Sequence, residues 1–186
     1  MTFSGFDPVG PLVLVSPGLE AELTDRLALA APPLVRALGV ALLPELAPLQ
    51  QPDQALARLE PAVAGGLACL GVDPGMALAD GRPWAQALGA WRQPTLLLID
   101  AAQLATGAAA ATTALLQLHG VPLRGLIQWG EPWQPELRRL EGLPWLGALG
   151  PDGPFDGVDL RLALAFQGER LGWAGGHSGR VAAGLS

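Results

Sequence analysis

Short apolar runs separated by turn residues alternate with longer segments of helical pattern along the first 150 residues of the chain. Strands that lie between helices in parallel βαβ units show this rhythm, because both faces of such a sheet are buried. The predicted strands cover residues 12–15, 67–72, 95–99, 123–129 and 145–149. The pattern therefore predicts an α/β protein with a mostly parallel sheet flanked by helices.

Helical segments are predicted between these strands. A helix over residues 17–30 is predicted, with Ser16 as its capping residue and Pro17 at its first position, which proline suits. Pro32 and Pro33 are expected to end it, since proline lacks an amide hydrogen and clashes with the preceding turn. Residues 34–43 are predicted as a short helix leading into a strand, and the prolines of residues 44–52 indicate a loop. Further helices are predicted at residues 53–59, 84–91, 107–119, 131–141 and 158–170.

The strongest unit is the strand at 95–99, the alanine-rich helix at 107–119 and the strand at 123–129. Its length fits a right-handed crossover, which places both strands parallel in one sheet. No internal repeat or long linker divides the chain. We therefore predict a single domain over residues 1–186, with a flexible tail at residues 175–186.

The composition limits the cellular location that we expect for the protein. Half of its 186 residues are hydrophobic and 15% are charged, and its mean hydropathy is +0.34. The uncharged run at residues 101–123 has the length of a membrane span, but its polar residues, glycines and proline indicate a buried helix followed by a turn. No basic residue precedes Arg26, so a secretory signal is not expected. We expect a cytoplasmic protein with no membrane partner.

Charge and cysteine content exclude several kinds of site. A net charge of −6 and scattered arginines argue against a nucleic-acid partner, which needs clustered basic residues. The single cysteine, Cys69, lies in an apolar run and is expected to be a buried, unreactive thiol. His119 is predicted at a helix end and His177 in a glycine-rich tail, so they do not form a catalytic pair. The sequence assigns no catalytic residue and no metal site.

All basic side chains are arginine, because the sequence contains no lysine. A conventional P-loop ATPase places a lysine on the β- and γ-phosphates, beside backbone amides that cradle them. The chain therefore cannot be a conventional P-loop ATPase.

Several weak motifs in the second half follow one another in the order of a known family. They are Gln93-Pro94-Thr95-Leu96-Leu97-Leu98-Ile99, Leu104-Ala105-Thr106, Gly120-Val121-Pro122-Leu123-Arg124-Gly125-Leu126-Ile127 and Leu143-Pro144-Trp145-Leu146-Gly147, preceded by Gly65-Gly66-Leu67. This series resembles dethiobiotin synthetase and its relatives in cobyrinate amidation, over residues 60–150. The resemblance implies a doubly wound sheet of the P-loop NTPase type and a homodimer. It also implies an ancestral reaction in which ATP and magnesium drive carboxylation of a diamine to close a urea ring.

The residues for that reaction are missing at the matching positions. Where the family has its glycine-rich loop, the chain reads Ser16-Pro17-Gly18-Leu19-Glu20, with one glycine and a carboxylate. Leu43-Pro44 replaces the family's Lys-Pro, Ala62 its glutamate, and Trp129 the asparagine that pairs with adenine. An indole has one donor and no acceptor, so it cannot replace that amide. An inactive relative without a cofactor is the simplest interpretation.

Candidate ligand contacts lie at the sheet edge where open α/β sheets bind ligands. They are Ser16, Gly18, Asp100, Thr106 and Trp129. Asp100, at the end of the strongest strand, is the best single candidate, and capping of the following turn is the alternative. Trp129 is expected near two further tryptophans, Trp133 and Trp145, as a pocket lining, a dimer contact or ordinary core packing.

Two functions are compatible with these observations. The first is a noncatalytic, dimer-forming domain that binds a small molecule or a protein partner. The second is a divergent, ATP- and magnesium-dependent dethiobiotin synthetase of biotin biosynthesis.

Overall fold

The computed structural model describes residues 10–46, 51–59, 65–78, 80–155 and 159–163. One sheet of seven strands forms the centre of this part of the chain. In chain order the elements are β1 (Leu12–Val15), α1 (Glu20–Leu38), β2 (Ala41–Leu42), α2 (Pro52–Ala57), β3 (Gly66–Cys69), α3 (Trp84–Ala90), β4 (Thr95–Asp100), α4 (Ala101–Leu104), α5 (Ala108–Leu118), β5 (Leu123–Trp129), α6 (Pro135–Leu140), β6 (Trp145–Gly150) and β7 (Gly153–Pro154).

The strand order is β2-β3-β1-β4-β5-β6-β7. Strands β1 to β6 pair in parallel, and only the short β7 is antiparallel to its neighbour. The predicted α/β class with a mostly parallel, doubly wound sheet is confirmed. The architecture is compatible with a P-loop-like fold.

Each face of the sheet has its own hydrophobic core, because alternate side chains of a strand point to opposite faces. Leu12 and Leu14 of β1 pack with α1 on one face. Val13 and Val15 pack on the other face with residues of α2, α3 and α5. Both faces of β1 and β4 are therefore covered, which explains why these strands are almost wholly apolar in sequence.

Several predicted elements agree closely with the structure. β1 and β5 have the predicted bounds, and α3 and β4 differ from the prediction by one residue at one end. The predicted crossover also holds, since β4 and β5 are parallel neighbours. The short helix α4 and strand β7 were not predicted. The two-residue strand β2 lies inside the segment expected to lead from a helix into a strand.

The prediction that Pro32 and Pro33 end the first helix was wrong. α1 continues through both prolines to Leu38, and Gly39 in the left-handed conformation ends it. Pro33, Leu34 and Leu38 are buried. Burial of this second half against the sheet offsets the two backbone hydrogen bonds that prolines cannot make. The start was also misplaced, because Leu19, and not Ser16, is the N-cap.

α2 and α5 differ from the predicted bounds by one or two residues at each end, and two further helices differ more. α6 begins at Pro135 and not at residue 131, because the buried amide of Gln128 holds the carbonyls of Glu131 and Pro132 in a loop. Of the predicted closing helix, residues 160–163 are helical and residues 164–170 lie outside the described residues. The predicted tail at 175–186 also lies outside them.

The uncharged run at 101–123 does not form one long helix. It contains α4, the eleven-residue α5 and the turn that follows. Within the described ranges, no helix is long and apolar enough to cross a membrane.

Candidate functional site

The crevice at the carboxyl ends of β1 and β4 is where a doubly wound sheet binds ligands. β1 and β4 are adjacent, but α1 packs on one face of the sheet and α5 on the other. The chain therefore leaves these two strands in opposite directions, which opens a crevice between their ends. We call it the switch-point crevice; the residues that form it are Ser16, Pro17, Gly18, Arg26, Asp73, Asp100 and Gln103.

The loop after β1 is held by a carboxylate from the loop after β3. The amide of Gly18 donates to Oδ2 of Asp73 at 2.8 Å. The other oxygen, Oδ1, accepts from the amide of Gly75 at 2.7 Å. Gly18 has a φ of +133°, a conformation that a side chain would strain. The single glycine of this loop thus turns its amide toward a negative charge that the chain itself supplies.

Arg26 of α1 connects the ends of β1 and β4. Its Nη1 donates to the hydroxyl of Ser16 at 3.0 Å and to the carbonyl of Pro17 at 3.1 Å. Its Nη2 pairs with Oδ2 of Asp100 at 2.6 Å. The side chains of Arg26 and Asp100 are only 10% and 20% exposed, so this ion pair is shielded from water.

Asp100 and Gln103 complete the hydrogen-bonded network that fills the switch-point crevice. Asp100 caps α4 by accepting from the amide of Gln103 at 2.8 Å, and the side chain of Gln103 accepts from the amide of Asp100 at 2.9 Å. This reciprocal arrangement is a capping box. The Nε2 of Gln103 also donates to the carbonyl of Pro17. Asp100 therefore has the capping role that the sequence left open, and it pairs with an arginine as well.

The five predicted ligand contacts are only partly brought together. Ser16, Gly18 and Asp100 meet in the switch-point crevice through Arg26, Asp73 and Gln103. Thr106 is exposed, and its hydroxyl donates to the carbonyl of Gln103 and accepts from the amide of Ala108.

Trp129 lies beside Asp100 in the register of β4 and β5, and it packs against the core on the α1 face. The expectation that it clusters with the other tryptophans is wrong. Trp133 and Trp145 pack together with ring centroids 6.4 Å apart, and Trp145 packs against the core on the opposite face. The alternation of side chains along neighbouring strands separates them.

The crevice is poorly suited to a phosphate. A P-loop offers free backbone amides and a lysine to phosphate oxygens. Here the amide of Gly18 is already bound to Asp73, and the nearby guanidinium of Arg26 is paired with Asp100. The first turn of α1 adds Glu20 and Glu22, whose charges further oppose an anion at this helix end.

The remaining chemistry is limited. Burial, with the nearby charge of Glu45, raises the pKa of the Cys69 thiol to about 12, which disfavours the reactive thiolate. In the described part of the chain, no group of three or more histidine, cysteine, aspartate or glutamate residues is placed to hold a metal ion.

Sequence reasoning did not single out Arg26, Asp73 or Gln103 as residues of the site. The three-residue spacing of Asp100 and Gln103 matches a capping box, so the sequence alone could have predicted that Gln103 bonds to Asp100. Arg26 lies on α1 and Asp73 in the loop after β3. Only the strand order of the sheet brings these two elements next to each other at the crevice.

Comparison of the sequence with protein-family models and with curated proteins finds no match.

Proposed function

We propose that this chain is a noncatalytic, dimer-forming α/β domain, built on a dethiobiotin-synthetase-like scaffold, that binds a small molecule or a protein partner. One observation carries the proposal: the switch-point crevice is closed by the chain's own side chains. Asp73 accepts from the Gly18 amide, and Arg26 pairs with Asp100, so the donors that would hold a phosphate are used internally.

The absence of lysine from the sequence supports the same proposal. ATP-dependent carboxylation needs a positively charged group next to the transferred phosphoryl group. Arg26 could supply this charge only by breaking its ion pair with Asp100. Breaking that shielded pair would leave an uncompensated carboxylate at the strand end. Because a resident carboxylate already neutralises the arginine, we expect no catalysis from this crevice.

The test is ligand-dependent stability. A ligand present at 100 times its Kd raises the free energy of unfolding by about 2.7 kcal/mol. We expect millimolar Mg-ATP, with or without the diamine precursor of dethiobiotin, to leave the urea unfolding midpoint unchanged. A midpoint that rises with the logarithm of the Mg-ATP concentration would contradict the proposal.

A divergent dethiobiotin synthetase is the second candidate, favoured by the motif series over residues 93–147 and by the doubly wound sheet. Its residues for nucleotide and magnesium would have to come from groups that the family does not use. Growth of a biotin-requiring strain that lacks its own dethiobiotin synthetase tests it. Rescue by this chain would support the enzyme, and we expect none.

A further inference from the structure

A groove runs between α5 and α6 on the face of the sheet opposite α1. Its volume of about 650 Å³ lies in the range of small-molecule pockets. Its main lining residues are Gln117, Trp133, Arg138, Arg139, Pro144 and Trp145. It shares no residue with the switch-point crevice. We call it the α5–α6 groove.

Two tryptophans form an apolar wall of the groove. Trp133 packs edge-on against Trp145, with ring centroids 6.4 Å apart. The indole of Trp145 donates to Oε2 of Glu141 at 2.7 Å, which fixes its orientation. Both tryptophans are only partly buried, so ring surface remains for a ligand. Leu143 and Pro144 extend the apolar lining. A planar aromatic ring is the group that packs best against such a wall.

Arg138 places a guanidinium beside this wall. Its guanidinium carbon lies 5.2 Å from the ring centroid of Trp145, and its side chain is only 8% exposed. The Nε atom donates to Oε1 of Gln128 at 2.9 Å, and Nη1 pairs with Glu141. The remaining nitrogen, Nη2, has no hydrogen-bond partner among the described residues. A firmly held, largely desolvated guanidinium therefore retains one donor group for a ligand.

The two charged residues that line the groove are both arginines. Arg139 bonds to Glu136 through Nη1 alone. The glutamates that pair with the two arginines do not line the groove, so a ligand there meets positive charge and hydrogen-bond donors. Arg26 in the switch-point crevice differs, because its Nη1 and Nη2 are both engaged. A carboxylate is complementary to this lining, since bonds between a guanidinium and a carboxylate are charge-assisted.

We propose that the α5–α6 groove binds a small aromatic carboxylate, with its ring against Trp133 and Trp145 and its carboxylate on Arg138 and Arg139. The inference rests on the small-molecule binding in the proposed function, and it names the site and the class of ligand. It does not involve the switch-point crevice.

Isothermal titration calorimetry of the full chain with naphthoate tests the ligand class. Naphthamide keeps the double ring of this probe without its charge, and acetate keeps the charge without the ring. We expect naphthoate to bind saturably with a Kd below about 1 mM. Naphthamide should bind at least roughly tenfold more weakly, because it loses the charge-assisted bonds. Acetate should give no saturable heat. Equal affinity for the acid and the amide would overturn the inference.

Two arginine variants test the contact with the carboxylate. Arg138→Met is expected to remove the preference for naphthoate over naphthamide, with urea unfolding as the check that it folds. Arg139→Gln, at an exposed position, keeps the buried network and is expected to weaken naphthoate binding at least roughly threefold. The matched change Arg36→Gln removes the same charge from α1, on the other face of the sheet, and is expected to leave the Kd unchanged. Equal Kd values for Arg139→Gln and Arg36→Gln would overturn the inference.

The indole N–H signals of the isotope-labelled protein locate the ligand by nuclear magnetic resonance. Naphthoate is expected to shift the signals of Trp133 and Trp145 and to leave that of the fully buried Trp84 unchanged. Shifts confined to residues outside the groove, or no saturable binding of naphthoate, would overturn this inference and leave the noncatalytic proposal standing. Saturable Mg-ATP binding that shifts the amides of Gly18 and Gly75 would overturn the noncatalytic proposal alone.

Discussion

Asp100 is the residue whose role changes most between sequence and structure. The end of a central strand is where a ligand contact is expected, yet this carboxylate caps α4 and neutralises Arg26. One side chain therefore satisfies a helix terminus and a shielded guanidinium at the same time. The carboxylate at this strand end is therefore used to stabilise the fold.

Asp100→Asn tests this role. The amide keeps an oxygen for the cap but removes the charge that faces Arg26, so the free energy of unfolding should fall by about 1–3 kcal/mol. The matched change Asp80→Asn removes half of an exposed pair with Arg82 and should cost less than Asp100→Asn, because solvent screens that pair. Urea denaturation of both variants measures the difference. Equal losses of unfolding free energy in the two variants would show that the Arg26–Asp100 pair stabilises the protein no more than an exposed ion pair does.

Cys69 should dominate the alkaline stability of the protein. Its folded pKa of about 12 lies above the ordinary value of 9.0, so the folded state retains a proton that the unfolded state loses between these values. Stability from this thiol is complete below pH 9 and declines above it, by at most about 1.4 kcal/mol per pH unit. Lysine and tyrosine, which titrate in the same range, are absent from the sequence.

Cys69→Ala should flatten this decline, whatever it does to stability at neutral pH. The measurement is the slope of the free energy of unfolding against pH between 9 and the onset of arginine titration, taken under reducing conditions. An identical slope in the wild type and the variant would contradict the assignment.

At the scale of elements, helix packing depends on close approach of backbones. A methyl group at Gly89 in α3 would overlap the carbonyl oxygen of His119, at the end of α5. This contact positions the turn that leads into β5. The sequence of α3 does not predict this contact, because a glycine within a helical segment indicates only a lower helix propensity.

Gly89→Ala should therefore destabilise the protein by about 1–3 kcal/mol, despite the higher helix propensity of alanine. At Gly107, which precedes α5, a methyl group meets no atom within 4 Å, so Gly107→Ala should change stability by less than about 1 kcal/mol. Thermal unfolding of the two variants compares them directly. A neutral Gly89→Ala would mean that α3 and the end of α5 separate easily.

Elements that are determined locally were predictable from the sequence. β1 and β5 are short apolar segments bounded by turn residues, and their predicted bounds match the structure. α1 was cut short in the prediction because the local effect of Pro32 and Pro33 is strong. Its second half is stabilised by burial against the sheet, which no local rule contains.

At the scale of the whole molecule, the strand order decides what the candidate site is. It brings the ends of β3, β1 and β4 side by side, and with them Asp73, Gly18 and Asp100. The sequence could place Gly18 and Asp100 at one edge of the sheet. It could not show that Asp73 and Arg26 would occupy the remaining hydrogen-bonding groups there, because those contacts join residues 55 and 74 positions apart in the chain.

We expect the switch-point crevice to be closed to nucleotide. Isothermal titration calorimetry of the full chain with Mg-ATP, alone and with the diamine precursor, tests it most directly. The closed network of Asp73, Arg26 and Asp100 predicts no saturable heat at millimolar nucleotide. Saturable binding at micromolar nucleotide would contradict the account.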